Sequence, residues 1–171
     1  MSGILEKGSD GMSLRFELAY DRLEEIAQLL FEYTESIIAD SSEVKDCLDQ
    51  QNYTQEAAHL SEKYGAPKGR IYIAYLDEKA VGCGGIKPLE EDICELKRLF
   101  VREEYRGQHI ASSMLKQLIN DAKEAGYKKM RLDTFAFMES ALKMYYKYGF
   151  YEIEKYNDNP APSAIYLELE L

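Results

Sequence analysis

Apolar and polar residues alternate over Leu14–Tyr20, the two-residue period of a strand. Asp21-x-x-Glu24 then forms a capping-box pattern, and Leu23, Ile26, Leu30, Tyr33 and Ile37 recur at helical spacing. Residues 40–66 are polar and read as helix in short pieces, ended by Gly65-Ala66-Pro67. Arg70–Tyr75 and Ala80–Ile86 predict two strands turning at Asp77-Glu78, and Ile93–Val101 predicts a third, reached through a turn at Pro88–Asp92. A helix from about Gly107 to Ala125 gathers Ala111, Met114, Leu115, Leu118 and Ala122 on one face, and Gly126 stops it. Lys128–Thr134 alternates as a strand, with Met130, Leu132 and Thr134 against Lys129, Arg131 and Asp133. A short helix over Met138–Tyr148 ends at Gly149, and Phe150–Lys155 and Ala164–Leu171 are closing strands. In the last of these, Ile165, Leu167, Leu169 and Leu171 share one face. The order strand, helices, three strands, helix, strand, helix, two strands predicts a mixed sheet with helices on both faces. Without repeats or low-complexity linkers, the chain reads as a flexible segment over 1–12 and one domain over 13–171.

Composition narrows what such a domain can do. The chain has 171 residues, 46% hydrophobic and 30% charged, enough to bury a sizeable core. It has 14 Tyr and no Trp, so its aromatic packing carries hydroxyls that need partners. The net charge of −10 argues against a nucleic-acid partner, which would require a basic face. It suits a cationic or zwitterionic substrate, or solubility alone. Three cysteines, Cys47, Cys83 and Cys94, form no C-x-x-C pair and leave one over, which speaks against a disulfide framework. With only His59 and His109 a Cys/His zinc site is hard to assemble, and no metal is expected. Met1–Gly11 lacks the apolar core of a signal peptide, and no apolar run approaches membrane-spanning length. These features predict a cytoplasmic protein with no membrane partner.

The densest chemical signal is Glu95-Leu-Lys-Arg-Leu-Phe-Val101 followed by Arg102-Glu-Glu-Tyr-Arg106-Gly-Gln-His-Ile-Ala111. A strand runs into a loop containing Gly107 that opens straight into a helix. Free N–H groups and the helix dipole at such a start favour a phosphate or pyrophosphate. Arg98, Arg102 and Arg106 add local positive charge to an otherwise acidic chain. No Gly-Lys-Ser/Thr follows, so this is no Walker A loop, and a plain strand–turn–helix fits the same residues.

Arg106-Gly107-Gln108-His109-Ile110-Ala111 resembles the GNAT acetyltransferase pyrophosphate motif Arg/Gln-x-x-Gly-x-Gly/Ala. Leu99-Phe100-Val101 is similar to the splayed strand whose backbone pairs with the pantetheine arm. Ala141-Leu-Lys-Met-Tyr145-Tyr-Lys-Tyr-Gly149-Phe150 resembles the Ala-x-x-Leu-Tyr-x-x-x-Gly-Phe segment. The resemblance covers essentially residues 13–171, with the elements in family order. It implies the GNAT fold, α/β (α+β): a mixed, mostly antiparallel sheet of about seven strands flanked by helices on both faces. It further implies transfer of an acetyl group from acetyl-CoA to a primary amine, expected to be that of a small molecule, by direct attack in a ternary complex. A lysine or N-terminal peptide acceptor, and a silent acyl-CoA-binding module, are the alternatives; a homodimer is admitted. Leu99, Phe100, Val101, Arg106, Gly107, Gln108, His109, Ile110, Ala111 and Ser112 are the implied coenzyme contacts. The middle Gly of the motif is His109 here, where a side chain crowds the pyrophosphate or strains the backbone.

The resemblance places a base at Glu95 and a Tyr that protonates the coenzyme thiolate at Tyr145. A carboxylate in the sheet can draw the amine proton directly or through water; the other reading is a strand-edge Glu paired with Lys97, Arg98 or Arg131. Tyr145 can equally be core, although Tyr146 and Tyr148 suit that role better. The oxyanion falls to a backbone N–H near Leu99 or Phe100. Cys94 adjoins Glu95 but alternation puts it on the opposite face, so Cys83 and Cys94 read as packing. The amine pocket is expected to draw on the first two helices and on the tail Tyr156-Asn-Asp-Asn159-Pro160-Ala-Pro162.

Overall fold

The computed structural model describes residues 6–7, 11–40 and 53–171. Strands are β1 (Glu6–Lys7), β2 (Ser13–Leu18), β3 (Arg70–Leu76), β4 (Lys79–Glu90), β5 (Ile93–Val101), β6 (Lys129–Phe135), β7 (Tyr151–Ile153) and β8 (Ala164–Glu170). Helices are α1 (Leu23–Asp40), α2 (Tyr53–Ala58), α3 (Leu60–Tyr64), α4 (Ile110–Glu124) and α5 (Glu139–Lys147). One mixed sheet runs in the order β1-β2-β3-β4-β5-β6-β8-β7: seven longer strands and the two-residue β1. Every neighbouring pair is antiparallel except β5–β6.

Alternation sorts the strand residues onto two cores. On one face Leu14, Phe16, Val81, Ile86, Cys94, Leu96, Met130, Leu132 and Leu167 meet Met114, Leu115, Leu118 and Ala122 of α4, with Tyr145 of α5 and Phe150 beside them. On the other face Ile71, Ile73, Tyr75, Cys83 and Phe100 meet Ile26, Leu29 and Leu30 of α1 and Ala57, Leu60 and Tyr64 of α2 and α3. Helices therefore cover both faces, as expected. The last strand holds Ile165, Leu167 and Leu169 toward the α4 core and turns Tyr166 and Glu168 the other way.

Some boundaries differ from expectation. Pro88 lies inside β4, opposite Cys94, and the turn falls after Glu90; the register shifts between Pro88 and Glu90, an irregularity that tolerates a residue without an N–H. Leu23 is 48% exposed and Leu29 takes its place on the buried stripe of α1. The long polar connection forms helix over Tyr53–Ala58 and Leu60–Tyr64; Cys47 and most of Met1–Gly11 lie outside the described residues. Among the described residues no helix is long and apolar enough to cross a membrane.

Candidate active site

The site originates in a parting of two strands. Pairing of β5 with β6 covers only Ile93↔Lys129, Cys94↔Met130 and Glu95↔Arg131. Beyond Glu95, β5 continues to Val101 beside β4, while β6 continues to Phe135 beside β8. The facing edges in this cleft have no ladder partner among the described residues. A β-bulge shapes the β5 wall: Gly85 pairs with Lys97 and Cys83 with Phe100, so Gly84 alone faces Arg98 and Leu99. Arg98 accordingly takes a left-handed backbone, φ 61°. Close approach is needed here. A Cβ on Gly82 would lie 2.4 Å from the Phe100 carbonyl oxygen, and one on Gly84 would lie 3.1 Å from Leu99 Cδ1 and from Met114 Cγ.

The bulge also decides where the cations go. Arg98 turns into the α2 side and is buried against Glu56, Nε to Oε2 at 2.8 Å. Lys63 and the Tyr64 hydroxyl complete the ring around Glu56. Burial alone would raise the Glu56 carboxyl, but Arg98 and Lys63 hold it down to about 2. Arg102 clamps Glu32, Nε to Oε2 at 2.6 Å, and donates to the Ala80 carbonyl at 2.7 Å. These two arginines are therefore structural ties rather than phosphate contacts, contrary to the sequence expectation. Arg106 is exposed at the loop and, among the described residues, donates Nε alone, to the Val101 carbonyl at 3.0 Å.

Beyond a short turn at Glu103–Tyr105 the loop reaches α4 through two left-handed residues, Gly107 (φ 80°) and His109 (φ 61°). The helix starts at Ile110, later than Gly107, because His109 is its non-helical cap. Ile110 is buried and anchors that start in the core. Ser113 is the first residue here whose N–H bonds back, to the His109 carbonyl; those of Gly107, Gln108, His109, Ile110, Ala111 and Ser112 meet no backbone acceptor among the described residues. Tyr148 of the α5 cap donates to the Ser112 carbonyl at 3.1 Å, tying α5 to this turn. Unpaired N–H groups at a helix start suit a phosphate, and an unpaired strand edge suits an extended chain bearing amides. The residues present thus fit a pyrophosphate carrying a pantetheine-like arm.

Glu95 stands where the strands part, 3% exposed, on the face opposite Cys94. Tyr156 donates its hydroxyl to Glu95 Oε2 at 2.7 Å; the Lys87 and Lys97 ammonium groups lie 3.5 and 3.8 Å from Oε1. Arg131 is instead bound to Glu168 and Arg98 to Glu56, so of the three expected ion-pair partners only Lys97 is near. Lys97 also lies 3.8 Å from Asp133, which accepts from Asn157 and Asn159 at 3.2 and 2.9 Å. Burial would raise Asp133, but Lys97 and the two amides hold it below the ordinary carboxylate range. The sequence marks Tyr156, Asn157 and Asn159 only as part of the tail expected at the amine pocket, and it gives Lys87 and Asp133 no site role. Their signal is topological, since β5, β6 and the β7–β8 loop meet only through the sheet.

Tyr145 is the buried tyrosine of α5, packed edge-to-face on Phe150 at 5.5 Å, with no hydrogen bond to its hydroxyl among the described residues. Burial, with Tyr33 and Asp133 nearby, raises its hydroxyl well above its ordinary range. Tyr146, expected in the core, is 45% exposed and donates to Glu152. Cys83 and Cys94 are buried, and burial pushes both thiols up to about 12, so neither is a ready thiolate. A cavity of about 590 Å³ opens beside the β5 end, lined in part by Glu32, Ser36, Phe100, Arg102, Glu103 and Arg106.

Parted strands, a bulged edge and a helix start with unbonded N–H groups among the described residues suit an acyl-coenzyme ligand, and comparison with known proteins gives the family. The family model described as "Acetyltransferase (GNAT) family" matches residues 23–150. The chain is 37% identical over 124 residues to an uncharacterised N-acetyltransferase of Schizosaccharomyces pombe, covering 71% of this chain and 76% of that one. A Dictyostelium discoideum N-acetyltransferase is 28% identical over 94% of this chain and the whole of its own. Among solved structures, a GNAT-family acetyltransferase of Staphylococcus aureus superposes with a TM-score of 0.73 at 19% identity, covering 92% of this chain and 98% of that one. PaiA N-acetyltransferase of Thermoplasma acidophilum, in complex with coenzyme A, superposes with 0.71 at 19% identity over 93% and 99%. This chain belongs to the GNAT acetyltransferase family. It is an acyltransferase by class.

Proposed function

We propose that this protein moves the acetyl group of acetyl-CoA to the primary amine of a small molecule by direct attack in a ternary complex. The observation that carries the reading is the β5 edge, unpaired among the described residues, leading straight to N–H groups of Gly107–Ser112 that have no backbone acceptor among those residues. The coenzyme A complex of the Thermoplasma neighbour supports it.

In this reading the N–H groups of Gly107, Gln108, His109, Ile110, Ala111 and Ser112, with Arg106, hold the pyrophosphate. The backbone of Leu99, Phe100 and Val101 lines the acyl-bearing arm, and a β5 N–H near the bulge receives the developing oxyanion. Glu95 takes the proton of the acceptor ammonium. The neutral amine attacks the thioester carbonyl, and the tetrahedral adduct expels the thiolate, which Tyr145 protonates. A hydroxyl raised by burial is fully protonated at neutral pH and retains a proton to give. The new amide nitrogen, still carrying the second amine proton after collapse, returns that proton to Tyr145, so one proton per turnover leaves by way of Glu95.

The test has two parts. Calorimetry should show acetyl-CoA binding; its absence at millimolar ligand would sink the reading. A coenzyme A-release assay across polyamines, amino sugars, amino acids and peptides should then find turnover on a small amine. Turnover confined to peptides would replace the acceptor class and leave the transfer chemistry standing.

A further inference from the structure

Glu95 is almost sealed, so an amine arriving from solvent does not meet its carboxylate directly. Among the described residues three groups lie close to its oxygens: the Tyr156 hydroxyl at 2.7 Å on Oε2, and Lys87 and Lys97 at 3.5 and 3.8 Å on Oε1. A charged ammonium has no lone pair to accept a proton. The phenol can accept one proton and give another at the same oxygen. It also sits nearer the surface: Tyr156 is half-buried and comes from the connection between β7 and β8. Its ring is fixed edge-to-face on Tyr166 at 5.4 Å, with the Arg131 guanidinium 5.5 Å from the ring centroid. The hydroxyl is thereby aimed at Glu95 by packing on two sides.

We propose that Tyr156 is a catalytic group, the proton relay between the acceptor ammonium and Glu95. The proposal rests on the reading of Glu95 as the base. The acceptor N–H bond breaks and its proton goes to the Tyr156 oxygen as the Tyr156 proton goes to Glu95 Oε2. The products of this step are a neutral amine, an unchanged phenol and a protonated Glu95, which returns its proton to solvent by the reverse path after the amide has left. Burial and the Glu95 carboxylate push the Tyr156 hydroxyl far above its ordinary range, so a free phenolate is not formed and both transfers move together. The surroundings favour this division. Lys87 from β4 and Lys97 from β5 hold Glu95, while Arg131 from β6 offsets charge on the ring. Asp133, also from β6, is kept ionised by Lys97, Asn157 and Asn159 and is a counter-ion rather than a second base. Tyr166 from β8 packs its ring against that of Tyr156.

Tyr156→Phe preserves both ring contacts and deletes one oxygen. The probe is whichever of spermidine, glucosamine, lysine and phenylethylamine is turned over fastest with acetyl-CoA. The expected result is a fall in kcat of about 10²-fold at unchanged acetyl-CoA affinity, within the range of a lost proton-transfer group. Tyr156→Phe combined with Glu95→Gln should be no slower than Glu95→Gln alone, because the two groups act on one proton. A fluorinated tyrosine at position 156, with a more acidic hydroxyl, should restore turnover with a displaced pH profile, which a packing role would not produce. Wild-type kcat and pH profile in Tyr156→Phe, with Glu95→Gln slow, overturn the relay and leave Glu95 as the base. Wild-type rates in both single variants overturn the reading of Glu95 and the relay with it. A lowered Tm at normal kcat makes Tyr156 a packing residue and likewise overturns the relay.

Discussion

His109 holds a left-handed backbone, φ 61° and ψ 20°, and its side chain makes no capping bond. A Cβ in that region costs about 1 kcal/mol. His109→Gly is therefore expected to raise stability by up to about 1 kcal/mol, read as a higher Tm, with acetyl-CoA bound equally or more tightly. Lost turnover at unchanged coenzyme affinity would instead reveal a chemical task for the imidazole. Tyr145→Phe is expected to lower kcat with little change in coenzyme affinity, since thiolate protonation matters as the thioester breaks. If it is silent on every active amine, Tyr145 is core alone. Glu95 and Tyr145 could be picked out from the chain because each lies at a fixed offset from a recognisable loop. Tyr156, Lys87 and Asp133 could not be joined to Glu95 that way, because they come from separate segments which only the sheet brings together. Arg98 misleads for a related reason. It lies near the phosphate loop in sequence, yet the bulge aims it at Glu56 on α2.

The bulge shows what periodicity conveys about elements and what it hides. Strands and helices announce themselves through apolar spacing, and α1, α4 and every longer strand fall near their expected positions. An extra residue at Arg98–Leu99 does not, since a single slip is visible only against the partner strand. Gly82, just beyond the bulge and opposite Val101, marks the close approach of β4 and β5. Gly82→Ala would drive a Cβ against the Phe100 carbonyl, so the backbone of β4 or β5 must shift. Overpacking of this kind costs about 1–3 kcal/mol. The expected outcome is a lowered Tm together with weakened acetyl-CoA binding, since the cleft wall moves; tight binding in a destabilised variant would separate the bulge from the coenzyme. The Glu56–Arg98 tie makes a second element-scale prediction. Glu56→Ala leaves Arg98 buried without its carboxylate, which costs about 3–5 kcal/mol in denaturant unfolding. Because the folded carboxyl is held at about 2 against an ordinary 4.5, its contribution is complete above about 4.5 and drains away as pH falls toward 2. Glu168 follows the same direction: burial would raise it, but Tyr151, Arg131 and Lys129 hold it down to about 2. Stability should thus fall across that window, less steeply in Glu56→Gln than in the parent protein.

At the scale of the whole molecule, acetyl-CoA should act as a thermodynamic brace. A ligand bound only by the native state adds about 2.7 kcal/mol at a free concentration about 100 times Kd, so Tm should climb with coenzyme concentration. The parallel pairing of β5 with β6 gives that brace a direction. Three register pairs form the hydrogen-bonded seam between β1–β5 and β6–β8–β7, with α4 packed across one face and Ile37 of α1 meeting Phe135 and Ala161 on the other. So short a ladder is expected to act as a hinge, with sub-global opening there cheaper than full unfolding. Hydrogen exchange is expected to show β6, β7 and β8 losing protection as a unit ahead of β3 and β4. A coenzyme lying in the cleft would work like a bolt through both leaves, slowing exchange on the two sides together. Slowing confined to Gly107–Ser112 would mean that the ligand grips the loop and leaves the hinge free to swing.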